Sequence, residues 1–156
     1  MLDLDPQADL TRQFGVAETQ IGMDALLSFK DDARDVILPL SEQLSLIASG
    51  PELHLFEQQT PSIKLGVKLK QLLTSTIQSD ADIILIDCAA ISGLLGTNAV
   101  LAASDMLIPV SAEHGALRGM IKMLPVLQRV AKLRSDSIRL WLCLNRLPDG
   151  TDFAYQ

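Results

Sequence analysis

Leu2-Asp3-Leu4-Asp5-Pro6-Gln7-Ala8-Asp9-Leu10-Thr11 reads as a strand end that delivers two carboxylates into a turn and then a helix. A second run, Ile83-Ile84-Leu85-Ile86-Asp87, is apolar until it too ends in an acid. Two buried strands with Asp at their carboxyl ends suit a Mg²⁺-nucleotide site, because ligands of open α/β sheets collect at that edge. Such a site also needs a phosphate cradle. The sequence contains no G-x-x-x-x-G-K-[ST] run.

Outward from these two runs, strand-length apolar stretches alternate with helical periodicity, the pattern of βαβ units and a parallel sheet flanked by helices. The pattern predicts strands at 2–4, 44–48, 82–87, 106–110 and 138–144. It predicts helices at 9–14, 23–29, 51–59, 98–103 and 117–134, the last with Pro125 inside, and a longer one from Pro61 to about Gln78. Gly15 stops the first helix, and Ser49-Gly50-Pro51 closes the second strand. Lys30–Asp35 reads as a charged loop, and the tail from Pro148 as turn. No repeat, low-complexity tract or linker interrupts this, so one α/β domain over 1–156 is expected.

With 48% hydrophobic but only 4% aromatic residues, the core should be aliphatic. The net charge of −6 argues against a generic nucleic-acid surface. Lys64, Lys68 and Lys70, like Arg118 and Lys122, read as solvated helix faces. Cys88 and Cys143 lie in or beside apolar runs and read as small core residues of a reducing compartment. The most apolar region, Ile83 to Ala103, is broken by Asp87, Ser92, Gly93, Gly96, Thr97 and Asn98. A spanning helix needs about 20 mostly uninterrupted apolar residues. With no signal peptide visible, a cytoplasmic protein without membrane contact is expected.

In order and spacing, the chain resembles the ParA/MinD group of deviant P-loop ATPases, the ParA-type partition ATPases most closely. The resemblance rests on Leu4-Asp5-Pro6-Gln7-Ala8-Asp9-Leu10-Thr11, Asp82 to Asp87, Gly93-Leu94-Leu95-Gly96-Thr97-Asn98-Ala99-Val100, Leu107-Ile108-Pro109-Val110, and Glu113 with Ala116-Leu117-Arg118-Gly119-Met120. It implies Mg²⁺ and ATP as cofactors. By its motif, Asp5 would polarise the attacking water, while Asp3 and Asp87 would hold the water shell of the metal. Positioning and electrostatics dominate phosphoryl transfer, which is why carboxylates suit these places. Asn145 would read the adenine edge, with Arg146 beside it as a further nucleotide contact. The bland alternatives are that Asp3 and Asp5 cap the next helix and that Asn145 is a strand-end turn residue. His54 and His114 have no partner for catalysis.

Relatives of this type carry a strand and a lysine-bearing glycine-rich loop before the position of Met1, and further helices after Gln156. The chain thus looks like the middle of such an ATPase, truncated and inactive alone. Where the group has two prolines after the strand acid, this chain has Ala89-Ala90, which frees the backbone of that switch. The lost strand would lie between 83–87 and 106–110, leaving apolar edges that invite self-association. A non-catalytic module pairing with an intact paralogue is the alternative function, and a partition partner protein remains open. A phosphoacceptor receiver is the remote alternative, because Ile86-Asp87-Cys88 also fits its central strand.

Overall fold

The computed structural model describes residues 1–28, 33–59, 67–77, 81–88, 91–111 and 113–146. These fall into two compact units, Met1–Ala102 and Ala103–Gln156. The first unit contains β1 (Leu2–Leu4), α1 (Asp9–Gln13), α2 (Met23–Ser28), α3 (Ala33–Val36), β2 (Ile37–Ser41) and β3 (Leu44–Ile47). It continues with α4 (Leu53–Glu57), α5 (Lys68–Leu72), β4 (Ile86–Cys88) and α6 (Leu94–Ala102). The second unit holds β5 (Asp105–Ser111), α7 (His114–Ala131) and β6 (Arg139–Asn145).

Four strands of the first unit form a sheet in the order β2-β3-β1-β4, with β1 parallel to both β3 and β4. All three β1 residues are buried, as expected of a strand paired on both edges and covered on both faces. Leu2 and Leu4 pack with Met23, Leu26 and Leu27 of α2, Leu53 and Phe56 of α4, and Leu94, Leu95 and Ala99 of α6. The core is therefore aliphatic apart from Phe56, as the composition requires.

Several elements depart from the sequence reading, each for an identifiable reason. The predicted strand at 82–87 is ladder-paired only over Ile86–Cys88, because β1 offers three residues to pair with. Its preceding residues Ile83 and Leu85 are 77% and 60% exposed. A strand at 37–41 was not expected, yet β2 pairs antiparallel with β3 across the polar Glu42-Gln43 turn. Pro39 is tolerated there because β2 is an edge strand that need not donate on both sides. Within the predicted charged loop, Ala33–Val36 is a helical turn.

Helix α6 begins at Leu94, four residues before its predicted start, because Glu57 caps it from another helix. The Glu57 carboxylate accepts the Leu94 and Leu95 N–H groups at 2.8 and 2.9 Å. After α5 the backbone widens into a π-helical turn over Leu73–Ile77, where Thr74 and Ser75 hydroxyls bond back to Lys70 and Leu72 carbonyls. Lys68 is buried rather than solvated, its ammonium 5.7 Å from the Phe56 ring centroid. Lys64, Phe29, Ala89-Ala90 and the tail from Pro148 lie outside the described residues.

In the second unit β5 and β6 run parallel in unbroken register from Asp105↔Arg139 to Ser111↔Asn145. Asp105 fastens one end: its carboxylate accepts from Arg139, Trp141 and Ser104 at 2.7, 2.9 and 2.9 Å. Arg139 and the other two donors hold its pKa down to about 2. Helix α7 starts at His114, runs through Pro125, and buries Leu127 and Val130, while Ile108 of β5 is also buried. Every residue of β6 is exposed, including Cys143, which is therefore not the core residue its apolar run suggests. Arg118 and Lys122 lie on the solvent side of α7.

Asp24 is the main polar pin of the first unit. One carboxylate oxygen accepts the Gly22 and Ala25 N–H groups, and the other accepts the Glu52 N–H at 3.1 Å. Gly50, at φ 92°, brings the backbone close to that carboxylate in a conformation that favours glycine. Replacing Asp24 by Ala removes the acceptor of three N–H groups and is expected to lower the unfolding free energy by about 1–3 kcal/mol. Urea denaturation followed by circular dichroism measures this, and an unchanged midpoint would contradict the pinning role.

Candidate functional site

Parallel pairing of β1 with β4 places Asp3 opposite Asp87, so the carboxylates of the two acidic runs meet at one edge of the sheet. The chain leaves β1 through Asp5-Pro6-Gln7. The Asp5 side chain accepts the Gln7 N–H at 2.8 Å, and its carbonyl accepts the Ala8 N–H at 2.9 Å. Ala8, just before α1, sits at φ 55°, a left-handed conformation unusual for a residue with a Cβ. Arg12 closes the outer side of this turn by pairing with Asp9 and Glu18.

The three acids are not equivalent. Asp3 is fully buried. Its Oδ1 accepts the Asp5 N–H at 3.2 Å, and its Oδ2 accepts both the N–H and the hydroxyl of Thr11, at 2.9 and 2.6 Å. Asp3 thus makes the helix-capping bonds named above as the bland alternative. Asp5 is half-buried and Asp87 is exposed. Partial desolvation, then the charges of Asp3, Asp5 and Asp9, push the Asp87 carboxyl above its usual range. Cys88 beside it is half-buried, and burial together with Asp87 pushes its thiol up as well.

The arrangement fits the implied cofactors only in part. No group of three or more His, Cys, Asp and Glu side chains is gathered to ligate a metal directly among the described residues. Asp5 and Asp87 could hold the waters of a Mg²⁺ ion, which keeps several of them. Asp3 is fully buried, and its two oxygens already accept three N–H and O–H groups. Asn145 and Arg146 belong to the second unit, at the end of β6. The Asn145 side-chain oxygen accepts the Arg146 N–H at 2.8 Å, and Arg146 is left-handed at φ 53°. His54 is exposed, with Nδ1 3.1 Å from the Pro51 carbonyl oxygen.

Two residues given no role by sequence reasoning take part in the site. Thr11 binds Asp3, and Ser49 joins the two ends of the motif, its N–H donating to the Thr11 hydroxyl and its own hydroxyl to the Asp5 carbonyl. Only the presence of Thr11 in the quoted motif could have signalled this. Ser49, 44 residues from Asp5 and just past the end of β3, carried no signal.

An AAA-domain family model matches residues 1–140. The chain belongs to the ParA/MinD-type P-loop ATPase family. The sporulation initiation inhibitor protein Soj of Bacillus subtilis is 30% identical over 161 residues, covering all of this chain and 63% of that protein. A plasmid partition protein from Borrelia burgdorferi superposes with a TM-score of 0.83 at 23% identity, covering 96% of this chain and 67% of that one. A cobyrinic acid a,c-diamide synthase from Mycobacterium smegmatis, solved with bound ADP and magnesium, gives 0.88 at 23%, with 98% and 63% covered. This ParA-type chain thus has the α/β fold its sequence predicts, and spans less than two thirds of the Soj relative. The family placement sets aside the receiver reading. Among the described residues no helix is long and apolar enough to cross a membrane.

The raised pKa of Asp87 fixes the sign of one expectation. Its ionised form is disfavoured by the fold, so the associated stability is present at low pH and lost as pH rises through the folded pKa. Asp87→Asn should therefore raise the melting temperature at pH 7. The gain should shrink on acidification and vanish below the ordinary carboxyl value of 3.8. A variant that melts lower at pH 7 would contradict this electrostatic picture.

Proposed function

We propose that this chain is the carboxylate-bearing part of a ParA-type partition ATPase. In this reading Asp87 holds the water shell of a nucleotide-bound Mg²⁺, and Asp5 polarises the water that attacks the γ-phosphate. The observation that carries it is the Asp3↔Asp87 register, which gathers the acids of two motif strands at one sheet edge. Bound Mg²⁺ would supply charge neutralisation on the phosphates.

Phosphates need more than acids and a metal. A row of backbone N–H groups, a helix N-terminus and a lysine normally form their cradle. The 156 residues contain no such glycine-rich lysine run, so the cradle in this reading comes from chain outside them. The 156 residues by themselves would bind ATP weakly and show no turnover. Partition activity, a DNA cargo and a stimulating partner protein would be properties of the assembled site.

A second reading is a non-catalytic module that pairs with an intact paralogue. It is favoured by Ile83 and Leu85, whose side chains stand exposed beside β4, a strand bonded only to β1 among the described strands. Such an edge is a template for another chain. Co-purification with a full-length relative at defined stoichiometry would favour this reading over an ATPase part.

Thermal unfolding with Mg²⁺-ATP separates the cases. The chain alone is expected to show no shift at millimolar nucleotide. Preceded by a relative's strand and glycine-rich lysine loop, it should be stabilised by about 2.7 kcal/mol at one hundred times Kd. That stabilisation should disappear with Asp87→Ala, and turnover with Asp5→Ala. No shift in the extended protein would refute the nucleotide-site reading.

A further inference from the structure

We infer that Asp3, Thr11 and Ser49 form a latch that sets the conformation of the Asp5 turn, and that Asp3 is a positioning residue and not a contact of the metal's water shell. The inference rests on the nucleotide-site reading above only for the purpose the turn serves. The latch itself stands on geometry.

Asp3 is 0% exposed, and its two oxygens take three donors, from Asp5, Thr11 N–H and the Thr11 hydroxyl. A carboxylate with this many internal donors is strongly held in place. To face a metal's waters it would have to leave a fully buried position in which Thr11 and the Asp5 backbone hold it. The Thr11 hydroxyl spends its proton on Asp3 and uses its lone pairs for the Ser49 N–H at 3.1 Å. Ser49 then donates its hydroxyl to the Asp5 carbonyl at 2.8 Å. The chain of bonds begins at Asp3, passes through α1 to the end of β3, and returns to Asp5.

This circuit does two things that isolated bonds would not. It satisfies every buried polar atom it contains, in keeping with the lack of unpaired buried side-chain N or O atoms among the described residues. It also fixes the backbone on both sides of Asp5, with Asp3 holding its N–H and Ser49 its carbonyl. The strained Ala8 conformation lies in the turn so held. Asp5 is thereby presented with its own carboxylate committed only to the Gln7 N–H among the described contacts.

The test uses melting temperatures and two-dimensional amide spectra of the chain carrying Asp3→Asn, Thr11→Val, Thr11→Ser and the Asp3→Asn/Thr11→Val pair. A latch predicts that Asp3→Asn and Thr11→Val each lower the melting temperature by several degrees and that the pair loses less than their sum. Thr11→Ser, which keeps the hydroxyl, should restore the melting temperature and the amide positions of residues 5, 7, 8 and 49. If Asp3→Asn does not fold, Thr11→Val with Ser49→Ala gives the same cycle.

Mn²⁺ supplies a readout that a merely structural role would not move. With ATP, and in the chain preceded by a relative's strand and glycine-rich lysine loop, its paramagnetic broadening of amides near Asp5 and Asp87 should survive Asp3→Asn and be lost with Asp87→Ala. Additive losses, failure of Thr11→Ser to rescue, or broadening erased by Asp3→Asn would each overturn the latch. Absence of broadening in that extended protein without substitutions would sink the nucleotide-site reading alone, because the melting cycle is read on the chain without metal.

Discussion

Leu2, Asp3 and Leu4 lie between two parallel neighbours, and the organisation of the first unit follows from that placement. A strand of three residues can fill few ladder positions, so it determines how much of the next strand pairs. Only Ile86–Cys88 of the long apolar run is drawn into the sheet, and Leu2↔Ile86 fixes Asp3 beside Asp87. The Leu2 and Leu4 side chains anchor the aliphatic core to which α2, α4 and α6 contribute. Core packing and the meeting of the acids therefore depend on the same three residues. A one-residue slip in this register would turn the acids to opposite faces.

Polar groups complete what this strand begins. Asp24 ties α2 to the Gly50 turn, Glu57 caps α6 from α4, and the Asn98 side chain accepts the Leu69 N–H at 3.0 Å. Each joins elements far apart in sequence and satisfies helix-end or loop N–H groups that would otherwise be buried unpaired. The short helices of this unit, several of five or six residues, would be marginal alone. They persist through packing and these side-chain caps. The second unit obtains its order differently, from seven register pairs, the Asp105 clamp and the apolar side of α7.

The fold class was legible because it depends on periodicity, which a single chain displays. Apolar runs of strand length at 2–4, 44–48, 106–110 and 138–144 correspond to β1, β3, β5 and β6. Boundaries set by distant partners were not legible. The start of α6 depends on Glu57, 37 residues earlier, and the length of β4 on the length of β1. Strand β2 was missed because its Ile37-Leu38-Pro39-Leu40-Ser41 alternation is broken by a proline that only an edge position tolerates.

For the site, the sequence by itself determined which residues carry charge and that they end apolar runs. Asp3, Asp5 and Asp87 were identifiable on that ground, and the ordered motifs identified the family. Tertiary structure decided how those acids differ. Asp3 is enclosed by Thr11 and linked through it to Ser49, whereas Asp87 keeps contact with water, its proton affinity raised by partial desolvation and then by the neighbouring carboxylates. The physical reason is that a carboxylate's role depends on its donors and its contact with water. Both are set by chain segments that sequence proximity does not reveal.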